Sequence, residues 1–429
     1  MIQAVILAGG KGTRLNAKTK KIPKPMIKIG FLPVLEHQIN LLKRYGIKDI
    51  FILTGYLSEV IENHFENKKF PGIKITCLKS DENIGPADRV KSAENYLTDD
   101  FLVFYGDVML DMDLKKLLDF HKSKNGIATL TIHPNDHPYD SDLVEIDNNQ
   151  QIVAFHSKPH QPGKYLRNLD NACVYIFSKK IFKYLKPQKN TILDFGKHIF
   201  PKIYKKEKLF GYNTPEYIKD MGTPERLKQV TKDYLSGKIK RLNIKNKRRA
   251  IFLDRDGVIN YDPDNLSDIN DFKLLSGAAK ATKLINSSEY LSILVTNQPM
   301  VAKGFITFKD LEQIHKKMET LLGEKGAKLD GIYFCPHHPE KNFPGVPKLR
   351  IKCDCRKPKP GMIFRARKDY NIDLKKSWII GDSQRDIEAG INAGIKTILV
   401  KKNQRKFEEC QIKTKRTNNI YSAVRYVLK

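Results

Sequence analysis

The 429-residue sequence lacks the long apolar runs of membrane proteins. No stretch of it approaches the roughly 18 consecutive apolar residues that a transmembrane helix requires. Its first segment contains no basic cluster, and it runs into glycines rather than into a signal-peptide cleavage site. We therefore expect a cytoplasmic protein without a membrane partner.

Cysteine is scarce and unevenly distributed. Three of the six cysteines fall between positions 335 and 355, which is unlike the spacing of a disulfide framework. In a large cytosolic chain, such a cluster indicates a metal site. The remaining three, Cys77, Cys173 and Cys410, are expected to be ordinary thiols.

Acidic residues do not balance the basic ones, since 48 Asp and Glu stand against 77 Lys and Arg and leave a formal net charge of +29. A charge of this size is typical of proteins that bind nucleic acid or anionic membranes. Most of the excess is lysine spread along the whole chain, however, and no nucleic-acid-binding motif accompanies it. The sequence thus predicts no specific nucleic-acid partner and a general attraction for anionic nucleotides and sugar phosphates. Weak, non-specific binding of polyanions remains an alternative interpretation of the positive charge.

Short apolar segments alternate with helical patterns in two successive series. The first series predicts strands at 2–8, 49–54 and 101–105 and a helix at 33–45. The second predicts strands at 250–254, 291–296, 331–334, 377–380 and 396–400, and helices near 277–285 and 309–322. Such alternation is typical of mostly parallel α/β sheets. We predict two doubly wound, Rossmann-like α/β domains at 1–235 and 250–429, joined by a basic linker at 236–249.

An acid pair follows the first apolar run of the second series. Asp254 and Asp256 repel each other unless a cation or a proton lies between them. Later residues supply the other parts of a phosphoryl-transfer site: Gly257, Thr296, Lys357 and Asp382. The alternative is a strand end with two solvated carboxylates.

A glycine-rich loop follows the first strand of the first series. Its spacing, with Gly9, Gly10 and Gly12 around Lys11, is neither the dinucleotide fingerprint nor a Walker loop. Three glycines still allow backbone amides to approach phosphates, and Lys11 and Arg14 add positive charge.

This loop, followed by Ile-Pro-Lys-Pro-Met at 22–26, resembles the sugar-1-phosphate nucleotidyltransferases, among them heptose- and mannose-1-phosphate guanylyltransferases. The resemblance covers roughly residues 1 to 233 and implies a GT-A-like fold. It implies that Arg14 and Lys24 are the catalytic cations and that Asp107 and Asp220 hold Mg²⁺. It also implies these substrate contacts: Gly9, Gly10, Gly12, Thr13, Lys158 and Asn171.

The implied reaction is attack of a sugar 1-phosphate oxygen on the α-phosphorus of a nucleoside triphosphate. Negative charge grows on the phosphate oxygens and on departing pyrophosphate, so cations contribute most of the catalysis and no protein nucleophile is needed. Two departures from the family's sequence pattern leave the sugar contacts and the nucleotide base undetermined. Ser157 stands where the family commonly has Glu, and Gly85-Pro86-Ala87 replaces its Gly-Thr-Ala.

The second series resembles the haloacid-dehalogenase-type (HAD-like) phosphatases. Four motifs carry the resemblance, in order: Asp254-Arg255-Asp256-Gly257, Thr296-Asn297, Lys357, and Gly381-Asp382 with Asp386. The resemblance implies that Asp254 attacks phosphorus to form an aspartyl-phosphate and that Asp256 acts as general acid and then base. It implies Mg²⁺ held by Asp254, Asp382 and the backbone carbonyl of Asp256. Phosphate contacts would come from these residues: Thr296, Asn297, Arg356 and Lys357.

Three thiolates and one imidazole are spaced for a closed tetrahedral zinc site of structural type, at Cys335, His337, Cys353 and Cys355. His338 is the alternative imidazole. The segment resembles the heptose-bisphosphate and histidinol-phosphate phosphatases, and is closer to the heptose branch. Such a zinc would fix the loop that ends at Arg356 and Lys357.

The two resemblances together imply a bifunctional enzyme of nucleotide-sugar biosynthesis. It would dephosphorylate D-glycero-D-manno-heptose 1,7-bisphosphate to heptose 1-phosphate and then transfer a nucleotidyl group to it, with GTP as the expected donor. The first alternative is a hexose-1-phosphate nucleotidyltransferase fused to a histidinol-phosphate phosphatase. A basic, nucleic-acid-associated protein with inactive enzyme domains is the alternative from another class. The anomer, the base and the oligomeric state stay open, and a homo-oligomer is compatible with the sequence.

Overall fold

Two compact α/β units make up the chain, and the computed structural model describes residues 2–187, 191–340 and 344–429. The first unit comprises Met1–His133, Ser141–Lys158 and Leu169–Asn243. The second comprises Pro134–Asp140, Pro159–Asn168 and Ile244–Lys429. The predicted α/β class is confirmed. Within the described ranges, no helix combines the length and the apolarity needed to cross a bilayer.

The first unit contains a nine-stranded sheet and two small ribbons. This sheet is mixed and not mostly parallel as expected, because β11 runs antiparallel to β6, β8 and β9. Its strands are β1 (Gln3–Leu7), β2 (Lys28–Ile29), β3 (Leu32–Pro33), β4 (Asp49–Thr54), β5 (Lys74–Lys79), β6 (Phe101–Tyr105), β7 (Val108–Asp111), β8 (Ala128–His133), β9 (Leu143–Ile146), β10 (Ile152–His156), β11 (Asp170–Phe177), β12 (Leu209–Asn213) and β13 (Tyr217–Asp220). The order across the large sheet is β10-β9-β11-β6-β1-β4-β5, with β8 paired to β11 and β12.

Strand β1 lies between two parallel neighbours and therefore sets the position of the loops that follow all three strands. Leu7 pairs with Leu53 of β4 and with Tyr105 of β6. Because parallel strands end at the same edge of a sheet, the glycine-rich loop and Asp107 emerge side by side. The ribbon β7–β13 continues this edge, since Asp220 pairs with Val108.

Helices cover this sheet with apolar faces. They are α1 (Val34–Arg44), α2 (Ser58–Glu66), α3 (Pro86–Ser92), α4 (Leu114–Lys124), α5 (Phe200–Ile203), α6 (Pro224–Leu235) and α7 (Lys238–Arg241). The predicted helix at 33–45 is present as α1, which buries Leu35, Ile39 and Leu42. The basic stretch 236–249 contains α7, whose Ile239 is buried in the core of the first unit.

The second unit is built on a six-stranded parallel sheet of order β16-β15-β14-β17-β18-β19. Its strands are β14 (Arg249–Leu253), β15 (Tyr290–Asn297), β16 (Gly331–Cys335), β17 (Trp378–Gly381), β18 (Lys396–Val400) and β19 (Lys415–Thr417). Its helices are α8 (Ala278–Ser287), α9 (Phe308–Gly323), α10 (Gly361–Tyr370), α11 (Gln384–Asn392) and α12 (Ile420–Val427).

Strand β14 is central and is buried from Ala250 to Leu253. Ile251, Phe252 and Leu253 are each 0% exposed, which is why this strand reads as a continuous apolar run rather than an alternating one. Leu253 pairs with Leu294 of β15 and with Ile380 of β17. The residues that follow these three strands therefore meet at one edge of the sheet.

Strand β11 contains an irregularity beside the edge of the first unit's sheet. Its register with β8 shifts between Asn171 and Tyr175, and Cys173 within the shift has a φ of +57°. A side chain at positive φ is strained because its Cβ crowds the backbone. Cys173 was expected to be an ordinary thiol, and no feature of the sequence predicted its backbone conformation.

This strain predicts that glycine is better accommodated than alanine at position 173. We expect Cys173→Gly to be more stable than Cys173→Ala by about 1 kcal/mol, because only the alanine keeps a Cβ at positive φ. Both variants lose the thiol, so the difference between their free energies of unfolding isolates the cost of a Cβ at positive φ. Urea unfolding of the full chain measures it, and equal stability of the two variants would show that the position carries no strain.

Candidate active sites

A buried arginine fixes the start of the glycine-rich loop in the first unit. Arg89 of α3 is 3% exposed, and its Nη2 donates to the Gly9 carbonyl at 3.1 Å while its Nη1 donates to that of Thr54 at 3.0 Å. A Cβ at Gly9 or at Gly55 would overlap the guanidinium. Burial lowers the pKa of Arg89, and nearby acidic residues oppose that shift. The loop can therefore approach Arg89 this closely only with glycine at position 9.

Lys24 and Asp107 form an ion pair in the structure. Lys24 is 7% exposed and packs on the loop at Gly12, whose φ of +61° is a conformation that favours glycine. Two predicted site residues, a catalytic cation and a metal carboxylate, are thus brought together next to the loop.

Asp220 lies at the same edge and is also paired with a cation. Arg226 Nη1 donates to both of its carboxylate oxygens, at 3.1 and 3.0 Å. A Cβ at Gly222 would lie 3.0 Å from Arg14 Nη2, so Arg14 is close to this acid as well. The Met221 amide donates to the Asp107 carbonyl at 3.0 Å. Arg14, Lys24, Asp107 and Asp220 therefore border one site.

The other predicted residues of the loop lie at its open side. Thr13 begins a 3-10 helix, Thr13–Lys18, and is exposed. Lys11 is exposed and donates to Asn83 Oδ1 at 3.0 Å. A Cβ at Gly10 would meet no atom within 4 Å, so the loop leaves space there for a ligand.

Asp142, which the sequence did not single out, connects Lys158 and Asn171. Its Oδ1 accepts the Lys158 amide at 3.0 Å, and its carbonyl accepts the Asn171 amide at 2.9 Å. Burial raises the pKa of Asp142, against the hydrogen bond and the charge of Lys158. The Lys158 side chain is exposed, whereas Asn171 is 7% exposed. A single acid just before a strand gives no sequence signal that separates it from a solvated one.

Lys357 is the central cation of the second unit. Its Nζ lies 2.8 Å from Asp254 Oδ1, 2.5 Å from Asp386 Oδ1 and 2.9 Å from the Val295 carbonyl oxygen. The side chain is 4% exposed. Burial by itself lowers the pKa of Lys357, but Asp254 and Asp386 outweigh it and raise the pKa above its ordinary value.

Three carboxylates are crowded around this lysine. Oxygens of Asp254, Asp382 and Asp386 all lie within 4.8 Å of one another. Burial and then Asp386 raise the pKa of Asp254 to about 7, and burial and then Asp254 raise that of Asp382. Gly257, with a φ of +77°, allows the close approach, since a Cβ there would overlap Asp382. Hard oxygen ligands in mutual repulsion fit a divalent cation such as Mg²⁺.

The carboxylate of Asp256 is held by its own set of donors. Arg255 Nε and Nη2 each donate to it at 3.0 Å, and Gln298 Nε2 and Asn260 Nδ2 donate at 2.8 and 2.9 Å. Arg255 is 0% exposed, and it donates to His315, whose pKa burial lowers well below its ordinary value. No role was predicted for these three donors, although Arg255 lies within a recognised motif and Asn260 and Gln298 lie close to one.

Thr296 and Asn297 are the last two residues of the neighbouring strand β15, and both side chains are engaged within the site. Thr296 Oγ1 accepts from Gln298 Nε2 at 2.9 Å. Asn297 forms a reciprocal pair with the Lys357 backbone, since its Oδ1 accepts the Lys357 amide at 3.0 Å and its Nδ2 donates to the Lys357 carbonyl at 3.1 Å. Asn297 therefore fixes the backbone that carries the central cation.

The three clustered cysteines and His337 come together. The Sγ atoms of Cys335, Cys353 and Cys355 are separated by 3.2–3.5 Å, and His337 Nδ1 lies 3.3 Å from Cys355 Sγ. Hydrogen bonds, the strongest from Cys335, lower the pKa of Cys355 to about 5. This set of soft ligands fits a tetrahedral zinc ion.

The adjoining residues of this loop have other partners. His338 Nδ1 accepts the Glu340 amide at 3.3 Å, so the structure places His337 rather than His338 against the thiols. Arg356 Nη1 donates to the His337 carbonyl at 3.3 Å. Burial lowers the pKa of Arg356, and the charge of Arg385 adds to the shift. Cys353 and Cys355 thus lie on the same segment as Arg356 and Lys357, and the Lys357 side chain reaches the carboxylates.

Comparison with known proteins agrees with both resemblances. Residues 3–237, more than half of the chain, match the family model described as nucleotidyl transferase. Residues 354–425 match a model described as HAD-hydrolase-like. The fold of apo UDP-glucose pyrophosphorylase is similar at a TM-score of 0.50, covering 55% of this chain and 99% of that one, and its 18% identity supports the fold alone.

Curated relatives match the C-terminal part of the chain. The D-glycero-beta-D-manno-heptose-1,7-bisphosphate 7-phosphatase of Haemophilus ducreyi is 44% identical over 151 residues, which are 35% of this chain and 81% of the relative. The D-glycero-alpha-D-manno-heptose-1,7-bisphosphate 7-phosphatase of Burkholderia mallei is 40% identical over 154 residues, 36% of this chain and 80% of the relative. Relatives named for either anomer therefore match.

Crowding of the three carboxylates predicts that neutralising one of them stabilises the metal-free protein. We expect Asp382→Asn to raise the melting temperature of EDTA-treated protein at pH 8 by roughly 2–4 °C, because it removes a charge that repels Asp254 and Asp386. A divalent cation should then stabilise the wild type but not the variant. Differential scanning calorimetry measures both effects.

The matched control is Glu324→Gln, which makes the same charge change at an exposed position of the same unit. It should leave the melting temperature unchanged. An equal rise in both variants would mean that overall charge, and not the carboxylate group, determines the result.

Proposed function

Since the chain belongs to two enzyme families, we propose that it catalyses two consecutive steps. It belongs to the nucleotidyl transferase family and, through its C-terminal part, to the family of D-glycero-D-manno-heptose-1,7-bisphosphate 7-phosphatases. The second unit would remove the 7-phosphate of the heptose bisphosphate. The first would couple the remaining 1-phosphate to a nucleotide, with GTP as donor, to give GDP-heptose and pyrophosphate. The product of one reaction carries the group that the other requires.

The observation that carries the proposal is the contact of Lys357 with Asp254 in a buried carboxylate site. Asp254 attacks the phosphorus, the bond from phosphorus to the sugar oxygen breaks, and Asp256 gives that oxygen its proton. Water then attacks the aspartyl-phosphate and loses a proton to Asp256, which releases inorganic phosphate and restores Asp254. Lys357 orients Asp254 and offsets negative charge during both steps.

Mg²⁺ bound by Asp254 and Asp382, with the Asp256 carbonyl as a further ligand, would neutralise the nucleophile and the phosphate. Asp386 is the third carboxylate of the group and fixes the position of Lys357. Arg356 would contact the substrate from the adjoining loop. The curated relatives support heptose bisphosphate over histidinol phosphate as the substrate.

In the first unit, Arg14 and Lys24 would stabilise the charge that develops on the α-phosphate and on the leaving pyrophosphate. The backbone at Gly9, Gly10, Gly12 and Thr13 would bind the triphosphate. Asp107 and Asp220 would hold Mg²⁺, which supplies further positive charge when bound. Both acids already have cationic partners, Lys24 and Arg226, so metal binding would exchange one cation for another.

The direct test is to incubate the purified chain with GTP, the heptose bisphosphate and Mg²⁺. Phosphate and pyrophosphate should both be released, and formation of neither would contradict the proposal. Repeating the reaction with ATP, CTP and UTP and with heptose 1-phosphate as acceptor tests the choice of guanine.

The two sites should be separable by mutation. We expect Asp254→Asn to lower phosphate release by roughly a thousandfold or more while nucleotidyl transfer to supplied heptose 1-phosphate is unchanged. Lys24→Ala should have the opposite pattern and lower pyrophosphate release by roughly 100-fold or more. Phosphate and pyrophosphate assays on both variants measure this, and loss of both activities in a folded variant would disprove two independent sites.

The cysteine cluster is proposed to bind a structural zinc ion, because its four ligands leave no position for a catalytic water. Cys353→Ser should lose about one equivalent of zinc per chain and reduce phosphate release, since the loop that carries Lys357 is no longer fixed. Elemental analysis measures the zinc. Cys77→Ser, in the other unit, is the matched control, and full zinc retention by Cys353→Ser would contradict the assignment.

A further inference from the structure

Two oxygen acceptors in the first unit have unused hydrogen-bonding capacity. Asn171 Oδ1 is buried and has no hydrogen-bond partner among the residues that the structure describes. The Asp142 carboxylate accepts one hydrogen bond, from the Lys158 amide to Oδ1, and within the described ranges none reaches its Oδ2. A carboxylate can accept about four hydrogen bonds, so most of its capacity remains.

The two acceptors are held as neighbours. The Asn171 amide donates to the Asp142 carbonyl at 2.9 Å, which fixes the backbones of the two residues side by side. Gly196 provides the space for the carboxylate, since a Cβ there would overlap Asp142 Oδ2. Ser157 Oγ donates to the Gly196 carbonyl at 2.9 Å and holds that backbone in place. The acceptor pair is therefore part of a built site rather than a mobile surface.

The pair borders the reaction site at the end of β6. Strand β11 runs antiparallel to β6 and Val174 pairs with Phe104, so the Asn171 end of β11 lies at the C-terminal end of β6. Asp107 is the acid that pairs with Lys24. Because the Asp142 carbonyl accepts the Asn171 amide, the acceptor pair lies at the strand end that Asp107 follows.

The chemistry of the pair restricts what it can bind. Asp142 and Asn171 Oδ1 offer only acceptors, so the ligand must bring hydrogen-bond donors. An ionised phosphate brings none and is repelled by the carboxylate. A sugar ring brings several neighbouring hydroxyl groups, which can satisfy the buried Asn171 oxygen and the carboxylate together.

We propose that Asp142, with Asn171 beside it, accepts hydrogen bonds from ring hydroxyls of the sugar 1-phosphate and so determines which sugar is used. This inference rests on the proposed nucleotidyl transfer and adds the residue that selects its acceptor. Lys158 is the residue expected to hold the sugar's phosphate, and its backbone amide donates to the same carboxylate. The proposed contacts to the sugar and to its phosphate are therefore neighbours.

The test compares wild type with Asp142→Asn, using GTP, heptose 1-phosphate and its monodeoxy analogues. Asn keeps an oxygen for the Lys158 amide but replaces the other acceptor by a donor. Its kcat/KM for the sugar phosphate should fall by about 10- to 100-fold, mainly through KM, as expected for loss of a hydrogen bond to a charged group. The KM for GTP should not change, which also shows that the first unit is folded.

The analogues separate direct contact from a structural role. One monodeoxy analogue should lower the wild-type kcat/KM by a similar factor, and Asp142→Asn should add no further loss with that analogue. An equal loss with every analogue, or no loss with heptose 1-phosphate, would overturn the inference. Asp147→Asn, an exposed residue of the turn between β9 and β10, is the matched control and should behave as wild type.

Failure of the proposed nucleotidyl transfer would give a different result from failure of the role of Asp142. A wild-type chain that converts no sugar 1-phosphate with any triphosphate would overturn the nucleotidyl transfer and this inference with it. A wild type that converts heptose 1-phosphate, together with a variant of equal activity, would overturn the role of Asp142 alone.

Discussion

The pairing of Lys357 with Asp254 and Asp386 is the interaction on which the second unit's site depends. A buried carboxylate or ammonium is costly alone, and breaking a buried pair by removing one partner costs about 3–5 kcal/mol. The same lysine is fixed at its backbone by Asn297, at the end of β15. It also follows Cys355 by two residues in the sequence. Asp254, the edge of the sheet at β15 and the segment that carries Cys355 are therefore all connected to Lys357.

In the first unit, charged side chains are also paired, but their partners are different. Its acids are paired with Lys24 and Arg226, and its buried cation Arg89 is satisfied by backbone carbonyls. The proposed nucleotidyl transfer needs no protein nucleophile, so these carboxylates would only bind a metal in exchange for their cationic partners. Asp107 accordingly remains more exposed than Asp254, with 27% against 13% of the side chain accessible. The more buried arrangement at Asp254 suits its proposed role, because a nucleophile there would have to be kept from water and oriented.

The sequence predicted what depends on local signals. Strands β4, β6 and β18 have the predicted bounds because turn residues flank short apolar runs, and the chemistry-bearing acids follow directly after strands. Other strand and helix ends differ from prediction by one or two residues, where the terminal residues have no local signal. Arg89, Asp142 and the positive φ of Cys173 were missed for another reason. Each depends on a neighbour distant in sequence: the carbonyls of Gly9 and Thr54, the amides of Lys158 and Asn171, and the register of β8.

This difference explains why reaction type is easier to read from the chain than substrate choice. Residues proposed to define the reaction, such as Asp254 and Lys24, lie beside strand ends or in short motifs, where sheet geometry and burial constrain them. Residues that would contact the variable part of a substrate, such as Arg356 and Asp142, lie in loops, and their neighbours are set only by the assembled fold. An acidic residue in a loop can be proposed as a substrate contact once the structure shows a buried acceptor without a hydrogen bond beside it. Specificity in this chain is therefore best sought where unused hydrogen-bonding capacity remains after folding.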